Sequence, residues 1–560
     1  MRAPAAFATA AGPPSRLPLH RAVLGMATIL AMTLIAYLPA IRGGFIWDDD
    51  LHVTGNKALR TTQGLIDIWI HLLATPQYYP LTHTTWWATY QVFGIAPLGY
   101  HLVNVILHGL SAGILWLVLR RLSLPAAWST AAVFALHPVH VESVAWVTEL
   151  KNVQSGFFYL LAALAYLGFA IPESVPVDVG LHGRRARYAL ALGAFVAALA
   201  SKTVVATFPL AMLVIIWWKR GRLTRTDLVP LLPFLIVGVA GAVTTSLLEV
   251  HRVNAHGADW DLSPAERLLI AGRAWWFYIA KDLVPYRLVF IYPRWTIDVA
   301  QWWQWLFPFA AAATMATLWA LRTRIGRGPA AALLYFGITV APALGFVNIF
   351  PMLFSWVADH FQYLASIGII TLTMTLAASA VARLSPRRYA TPILRVMSGV
   401  LLVWLGVAVS SQARIYRTPE TLWRDTLAKN PSAWMAHDNL GVLLFDEGKF
   451  AEAGEHFREA VRLRPTYVPG IFNLGNVALK LDRLVEARDL YERVVRLQPD
   501  LVAAHTYLGH VYFRQHEYEM AISQYQLALA LNPNDPDPRR FLAAAQRAAR
   551  VQVSPGVPHE

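Results

Sequence analysis

The sequence predicts an all-α protein in two parts, a polytopic membrane helix bundle followed by an α-solenoid of helical repeats. Three observations carry this. Of 560 residues, 56% are apolar and only 15% are charged, a balance foreign to ordinary soluble proteins. Several apolar stretches approach the ~20 residues that cross a bilayer. The last ~130 residues change character, becoming rich in Ala, Leu, Glu and Arg, and they repeat at a fixed step.

Composition also removes some classes. The formal charge of +14 does not point to nucleic acid, because much of the excess sits in short Arg/Lys clusters between apolar spans, where topology explains it. Cysteine is absent, so there is no disulfide framework, no thiolate metal site and no cysteine nucleophile.

In chain order, residues 1–21 read as a cytoplasmic tail holding Arg2, Arg16 and Arg21. The first span, 22–41, runs into Tyr37-Leu38-Pro39-Ala40-Ile41-Arg42 rather than a small-residue cleavage site, so an uncleaved helix is expected. The Arg/Lys clusters Arg120-Arg121, Arg184-Arg185-Ala186-Arg187, Lys219-Arg220-Gly221-Arg222, Arg322 to Arg327 and Arg383 to Arg388 mark the cytoplasmic side. Between clusters the chain crosses twice, which gives spans at 22–41, 101–119, 126–146, 153–170, 188–201, 203–218, 228–248, 303–321, 330–350, 362–382 and 394–412. That is about eleven crossings in a transmembrane domain over 22–414. An odd number from a cytoplasmic start puts the C-terminus outside, on the side of the acidic run Trp47-Asp48-Asp49-Asp50. The stretch 264–285 is left between crossing and lying along the interface, because Arg267, Arg273 and Lys281 are costly in lipid. Two outer segments are long. Residues 42–100 include the amphipathic stretch 65–73, and 249–301 concentrate Trp and Tyr as interfacial segments do.

After a linker at 415–432, Pro431, Pro465, Pro499 and Pro533 stand 34 apart. So do Leu440, Leu474 and Leu508, then Gly441, Gly475 and Gly509, then Ala453, Ala487 and Ala521. Ala460 and Ala528 bracket Val494 at the same step. A helix–turn–helix unit of this length, with small residues where paired helices meet and Pro ending the second helix, resembles the tetratricopeptide repeat. Three repeats cover 433–534, a capping helix 535–550 and a disordered tail 551–560. Such arrays present a concave surface to peptides or extended segments.

The membrane half carries unusual polar strings. Ala135-Leu136-His137-Pro138-Val139-His140-Val141-Glu142-Ser143-Val144-Ala145-Trp146 ends a span. Tyr78-Tyr79-Pro80-Leu81-Thr82, Gly99-Tyr100-His101-Leu102-Val103-Asn104 and His108 precede it. Lys151-Asn152, Ser201-Lys202-Thr203 and Ala358-Asp359-His360-Phe361-Gln362-Tyr363-Leu364 follow. Together with Trp47-Asp48-Asp49 and the repeats, this resembles the transmembrane and tetratricopeptide-repeat family of protein O-mannosyltransferases, in a bacterial form, over nearly the whole chain. The resemblance implies a GT-C-like glycosyltransferase: a membrane helix bundle with a catalytic carboxylate in the first outer loop, a polyprenyl-phosphate-linked sugar as donor, and transfer of a mannose-like sugar to Ser or Thr hydroxyls. The repeats would then bind the acceptor protein. This chain departs from the family at Thr203, where relatives often carry an acidic residue, and at Asp359-His360-Phe361, where animal members often show Asp/Glu-Arg-Tyr. The departures bear on sugar and acceptor more than on fold.

Transfer to a hydroxyl needs a base and something to stabilise the departing phosphate. Asp48 or Asp49 is the expected base. The same aspartates could instead hydrate the helix exit, or hold a divalent cation (Mg²⁺ or Mn²⁺) with the donor phosphate. Candidates for donor phosphate or sugar are His137, His140, Glu142, Lys151, Lys202, Arg273, Asp359 and His360, with Arg294 a further outer cation. Any one of the cations could simply snorkel. The His137/His140/Glu142 spacing is not that of a zinc hydrolase, and His101 and His108, seven apart, read as structural. Competing functions are a GT-C enzyme with a lipid or polysaccharide acceptor and a non-enzymatic scaffold for envelope assembly. A transporter fits less well, because the polar groups gather at one boundary rather than at midplane. The expected location is a bacterial inner membrane with the repeats on the periplasmic side.

Overall fold

The computed structural model describes residues 17–171, 180–251, 257 and 260–553. Most of the N-terminal tail and most of the stretch expected to be a disordered tail therefore lie outside the described residues. Every regular element among the described residues is helical, and the chain divides into two compact units at Leu422/Trp423.

In the first unit, seven helices among the described residues are long and apolar enough to cross a membrane: Leu19–Ala36, Pro97–Arg121, Val147–Ala170, Thr203–Arg220, Arg225–Leu248, Ser366–Leu384 and Arg388–Ile415, with Gly328–Ala343 shorter. The expectation was about eleven. Two of the differences have plain causes. Gly180–Ser201 forms one helix with its arginines at the start, and Leu306–Leu321 has only 16 residues. The third, 126–146, bears on the site. Pro138 has no N–H to give a helix and disfavours helical backbone at His137. The segment therefore breaks into Ala127–Ala135, a tight turn at Pro138–His140 and the short helix Val141–Ala145, with another tight turn at Val147–Glu149. Irregular backbone at membrane depth is tolerated where it is buried in protein or lines a cavity, and residues 130–150 are buried throughout. The ambiguous stretch 264–285 forms the helix Pro264–Leu283, opened by a Ser263/Glu266 capping box. The amphipathic stretch near 65–73 includes the helix Thr62–Ile70.

Small residues and histidines hold the bundle together. Apolar side chains gain nothing by leaving lipid for one another, so close packing and buried hydrogen bonds must do the work. A Cβ added at Gly109 would lie 2.7 Å from Leu30, and one at Gly156 would lie 2.6 Å from Tyr363. Gly156 thus lets the segment after Asp359 press onto the helix Leu150–Ala170. His108 bridges Tyr363 Oη (2.8 Å) and the Ala135 carbonyl (3.0 Å). His140 bridges the Phe134 carbonyl (2.8 Å) and Ser366 Oγ (2.9 Å).

In the second unit the repeats follow the sequence step. Their helix pairs are Trp434–Asp446 with Phe450–Leu463, Val468–Lys480 with Leu484–Leu497, and Val502–Arg514 with Tyr518–Leu531. Pro536–Val553 then packs on the last pair. Gly441, Gly475 and Gly509 are required by contact: a Cβ there would sit 2.7, 2.8 and 2.6 Å from the rings of Phe457, Tyr491 and Tyr525. The turn inside each pair passes through a left-handed residue at the same step, Gly448, Asp482 and His516. The stretch expected to be a linker, 415–432, contains the helix Pro419–Lys429.

Candidate active site

The acidic run is shaped by one turn. Trp47 takes a left-handed backbone (φ 45°), which is uncommon for a bulky residue and worth a functional question. The turn sends neighbouring aspartates different ways. Asp49 faces inward and is fully buried. Its Oδ2 accepts from the Ile46 N–H (2.8 Å), and its Oδ1 accepts from the Thr148 N–H (2.8 Å) and Thr148 Oγ (2.7 Å). Asp49 therefore pins the acidic run to the broken segment after Trp146. Asp48 faces a cavity of about 500 Å³, its side chain 27% exposed. A wide helical turn, Asp50–Thr54, brings His52 Nε2 to 3.7 Å from Asp48 Oδ2.

Three further segments complete the charged wall. The helix Leu150–Ala170 begins just after Glu149, whose carboxylate is buried. Lys151 Nζ lies 3.1 Å from Glu149 Oε1 and Lys202 Nζ 3.3 Å from Oε2, so one carboxylate serves two lysines. Lys151 also donates to Gln77 Oε1 (3.3 Å). Lys202 sits in extended backbone between two helical segments, held there by Thr82 donating to the Ser201 carbonyl (3.0 Å). Asn152 donates to Glu149 and to the His360 carbonyl (2.9 Å). His360 in turn meets Glu142: Nδ1 is 2.8 Å from Oε1, and the His360 N–H donates to Oε2 (3.2 Å). Asp48, Glu142, Glu149, Lys151, Lys202 and His360 all line the cavity. The opposite character comes from Trp47, Trp146, Phe290 and Phe354, which also line it. Trp47 stacks on Trp146 (5.2 Å between centroids) and meets Phe290 edge-on (5.3 Å).

Burial sets the electrostatics of the acidic run. Asp48 is pushed up to about 6 by burial, with Lys151 pulling against it and Glu149 adding to it. Asp49 is raised to about 7, chiefly by burial and also by Asp48, against the opposing Ile46 and Thr148 donors. His52 is held well below the ordinary histidine range, chiefly by burial and then by Lys151. A carboxylate tuned toward neutrality near the Lys151 ammonium can take a proton while an anion is held nearby.

The expected site residues separate clearly. Asp48, Glu142, Lys151, Lys202 and His360 come together around the cavity. Asp49 lies behind it, as described. His137 is buried and bonds the Asp282 carbonyl (3.0 Å), and His140 is one of the buried bridges above. Asp359 accepts from Tyr292 Oη (2.9 and 3.1 Å) rather than lining the cavity. Arg273 and Arg294 stack over Trp295 (4.3 Å) and Trp356 (4.2 Å), which suits interfacial cations. Both Asp49 oxygens point at protein donors, so Asp48 and Asp49 do not form a shared cradle for a divalent cation. Among the described residues, no three His, Asp or Glu side chains group as metal ligands. Glu149, His52 and Gln77 are cavity residues that the sequence did not single out, and Trp47 and Trp146 stood in its motifs without being named as site candidates. The one available signal for Glu149 was a carboxylate two residues before Lys151 at the start of an apolar span.

Comparison with known proteins agrees with this division. Tetratricopeptide-repeat family models match residues 444–508 and 502–535. A protein O-mannosyl-transferase of Caenorhabditis elegans, F38B6.6, is 23% identical over 80% of this chain and 63% of its own length. Protein O-mannosyl-transferase Tmtc1 of Drosophila melanogaster is 32% identical over 26% of this chain and 18% of its own. Human TMTC4 is 30% identical over 28% and 24% respectively. The chain spans less than two thirds of the length of these relatives. Among solved structures, the first repeat domain of Spaghetti (RPAP3), determined with an HSP90 peptide, is 20% identical over 22% of this chain and 94% of its own, with TM-score 0.21. MamA is 21% identical over 24% and 74%, with TM-score 0.23. The chain is an integral membrane homologue of the TMTC protein O-mannosyl-transferases that carries tetratricopeptide repeats.

Proposed function

We propose that this chain transfers a mannose-like sugar from a polyprenyl-phosphate donor to Ser or Thr hydroxyls of exported proteins. The observation that carries the reading is the cavity itself, which Asp48, Lys151 and Lys202 all line. The two lysines, held on Glu149, are the proposed ligands of the donor phosphate. Asp48 is the proposed base. It takes the proton of the attacking hydroxyl as the oxygen bonds to the anomeric carbon, and the sugar–phosphate bond breaks to release polyprenyl phosphate. The aromatic residues that also line the cavity suit the apolar face of a sugar ring or the first units of the lipid. The repeats over 433–534 would bind the acceptor; the charge pattern between spans favours placing them on the outer side, which in the proposed bacterial inner membrane is the periplasm.

The test is transfer from a radiolabelled polyprenyl-phosphate sugar, in membranes holding the wild-type chain or its Asp48→Asn variant. Label reaching protein only with the wild type supports the assignment. Label appearing only in lipid or polysaccharide keeps the chemistry and changes the acceptor. The absence of label with any of several donors, from folded protein, overturns the proposal in favour of a scaffold.

A further inference from the structure

Two neighbouring cavity residues, His52 and Asp48, are held in opposite ways. His52 is buried and rigid. In the turn Asp50–Thr54 its N–H donates to the Asp48 carbonyl (3.1 Å), and its own carbonyl accepts from Asn56 Nδ2 (3.1 Å). Two rings of the helix Pro80–Phe93 wedge the imidazole, His83 at 6.1 Å and Trp86 at 5.7 Å between centroids. His83 is itself fixed on the Tyr79 carbonyl (3.0 Å). The Asp48 side chain is looser. Its Oδ1 is buried, and no hydrogen bond within the described residues reaches it, which leaves Oδ2 to meet a substrate. Thr148 lies near Asp48 but gives its one hydroxyl proton to Asp49 (2.7 Å). A carboxylate that must take a proton from one direction needs a fixed rotamer. The group placed to fix it is His52, whose Nε2 stands 3.7 Å from Asp48 Oδ2.

We propose that His52 is the positioning residue of Asp48. With substrate bound, Nε2–H donates to Asp48 Oδ2 and turns the oxygen's other lone pair toward the acceptor hydroxyl. This rests on the reading that Asp48 is the base. At 3.7 Å the two atoms do not share a hydrogen bond, and a shift of about 0.8 Å brings them to the ordinary length. The exposed carboxylate can make that shift and the wedged imidazole cannot. Catalytic hydrogen bonds often reach full length only with substrate bound. The contact does not depend on the charge of His52. A carboxylate facing Nε2 keeps the proton of the neutral ring on that nitrogen, and the imidazolium carries one there as well.

The experiment is a double-mutant cycle on the full chain in membranes, at one fixed pH. It reads the initial rate of label transfer from a radiolabelled polyprenyl-phosphate sugar at saturating donor and acceptor, with folding checked by thermal unfolding. His52→Leu, or His52→Met if the leucine chain does not fold, should lower kcat about tenfold and leave KM for the donor within about twofold of wild type. His52→Gln keeps a donor N–H near the position of Nε2 and should recover most of that loss. In an Asp48→Asn background, His52→Leu should cost less than about twofold more, because a residue that acts through Asp48 has nothing left to position. A merely structural role would lower the rate alike in both backgrounds and would not separate Leu from Gln. The proposal is overturned if His52→Leu keeps the wild-type kcat, if His52→Gln loses as much as His52→Leu, or if the loss is equal in both backgrounds. If Asp48→Asn itself keeps the wild-type rate, the base assignment falls and the proposal falls with it. If Asp48→Asn loses the rate and His52→Leu does not, the base stands and the positioning role alone is overturned.

Discussion

Asp48→Asn is the sharpest perturbation of the proposed chemistry. The change is nearly isosteric, and the side chain is partly exposed at the cavity, so the fold should survive. A positioned base supplies roughly 10²–10⁴ in rate, which is about 3–5 kcal/mol of activation free energy. The wild-type pH profile gives a second, independent number. A carboxyl at the ordinary aspartate value of 3.8 would stay ionised down to about pH 5, and the rate would stay flat. Burial has pushed Asp48 to about 6. A group there is ~90% ionised one unit above and ~10% one unit below, so kcat/KM should fall about tenfold for each further unit of acidification. The assay is the initial rate of label transfer to a Ser/Thr-containing acceptor between about pH 5 and pH 8, with folding of both proteins checked by thermal unfolding. A variant retaining a third of the wild-type rate, or a wild-type profile flat to about pH 5, would refute the assignment of Asp48 as base.

Three other outcomes are expected. Asp49→Asn should cost about 2–3 kcal/mol, because an amide cannot accept at both ends from Ile46 and Thr148 and its NH₂ must face one of those donors; a thermal midpoint within a degree of wild type would contradict this. The folded-state value of Asp49 is raised from 3.8 to about 7, so its contribution is fully present below about 3.8 and is lost as pH rises through about 7. The wild-type midpoint should drop across that range, and the variant's should drop less, because Asp48 alone is then raised, to about 6. Lys202→Gln leaves Glu149 with Lys151 alone and removes a proposed phosphate ligand, so KM for the donor should rise about tenfold, with the thermal midpoint reported alongside to separate binding from folding. His516→Gly should raise the midpoint of the repeat unit by a few degrees, since it relieves roughly 0.5–1 kcal/mol of left-handed strain at an exposed turn residue where the first repeat already has Gly448.

The repeats were legible because each periodic residue is itself a contact. Gly441 recurs because an added Cβ would meet Phe457, and the same collision recurs at Tyr491 and Tyr525. The long apolar spans were legible for a similar reason, since length and lipid solubility are local properties. The segment 126–146 was not, because its apolar composition outweighed the break at Pro138 in a reading by hydropathy. The site was half legible. Charges surrounded by apolar sequence stood out, and this found Asp48, Glu142, Lys151, Lys202 and His360. Asp48 and Asp49 could not be ranked by their neighbours, because the left-handed turn at Trp47 decides which carboxylate faces the cavity. Glu149 was missed because its second partner, Lys202, is 53 residues away, and only the fold joins them.

Lys151 links the two halves of the proposed reaction. It is held by Glu149 and Gln77, and its charge is what most opposes the upward push on Asp48. A donor phosphate drawn to Lys151 takes up part of that charge and adds its own negative charge to the cavity. Both effects favour the protonated aspartate. Asp48 therefore becomes the stronger base once the donor is seated, before an acceptor hydroxyl arrives. The consequence is measurable without any variant. The acidic limb of kcat/KM for the donor reports the free enzyme, whereas that of kcat reports the loaded one. The kcat inflection should lie above the free value of about 6, by roughly one unit if the phosphate offsets most of the lysine's effect. An inflection in kcat at or below that of kcat/KM would mean that the phosphate does not engage Lys151 and that the two lysines only neutralise Glu149.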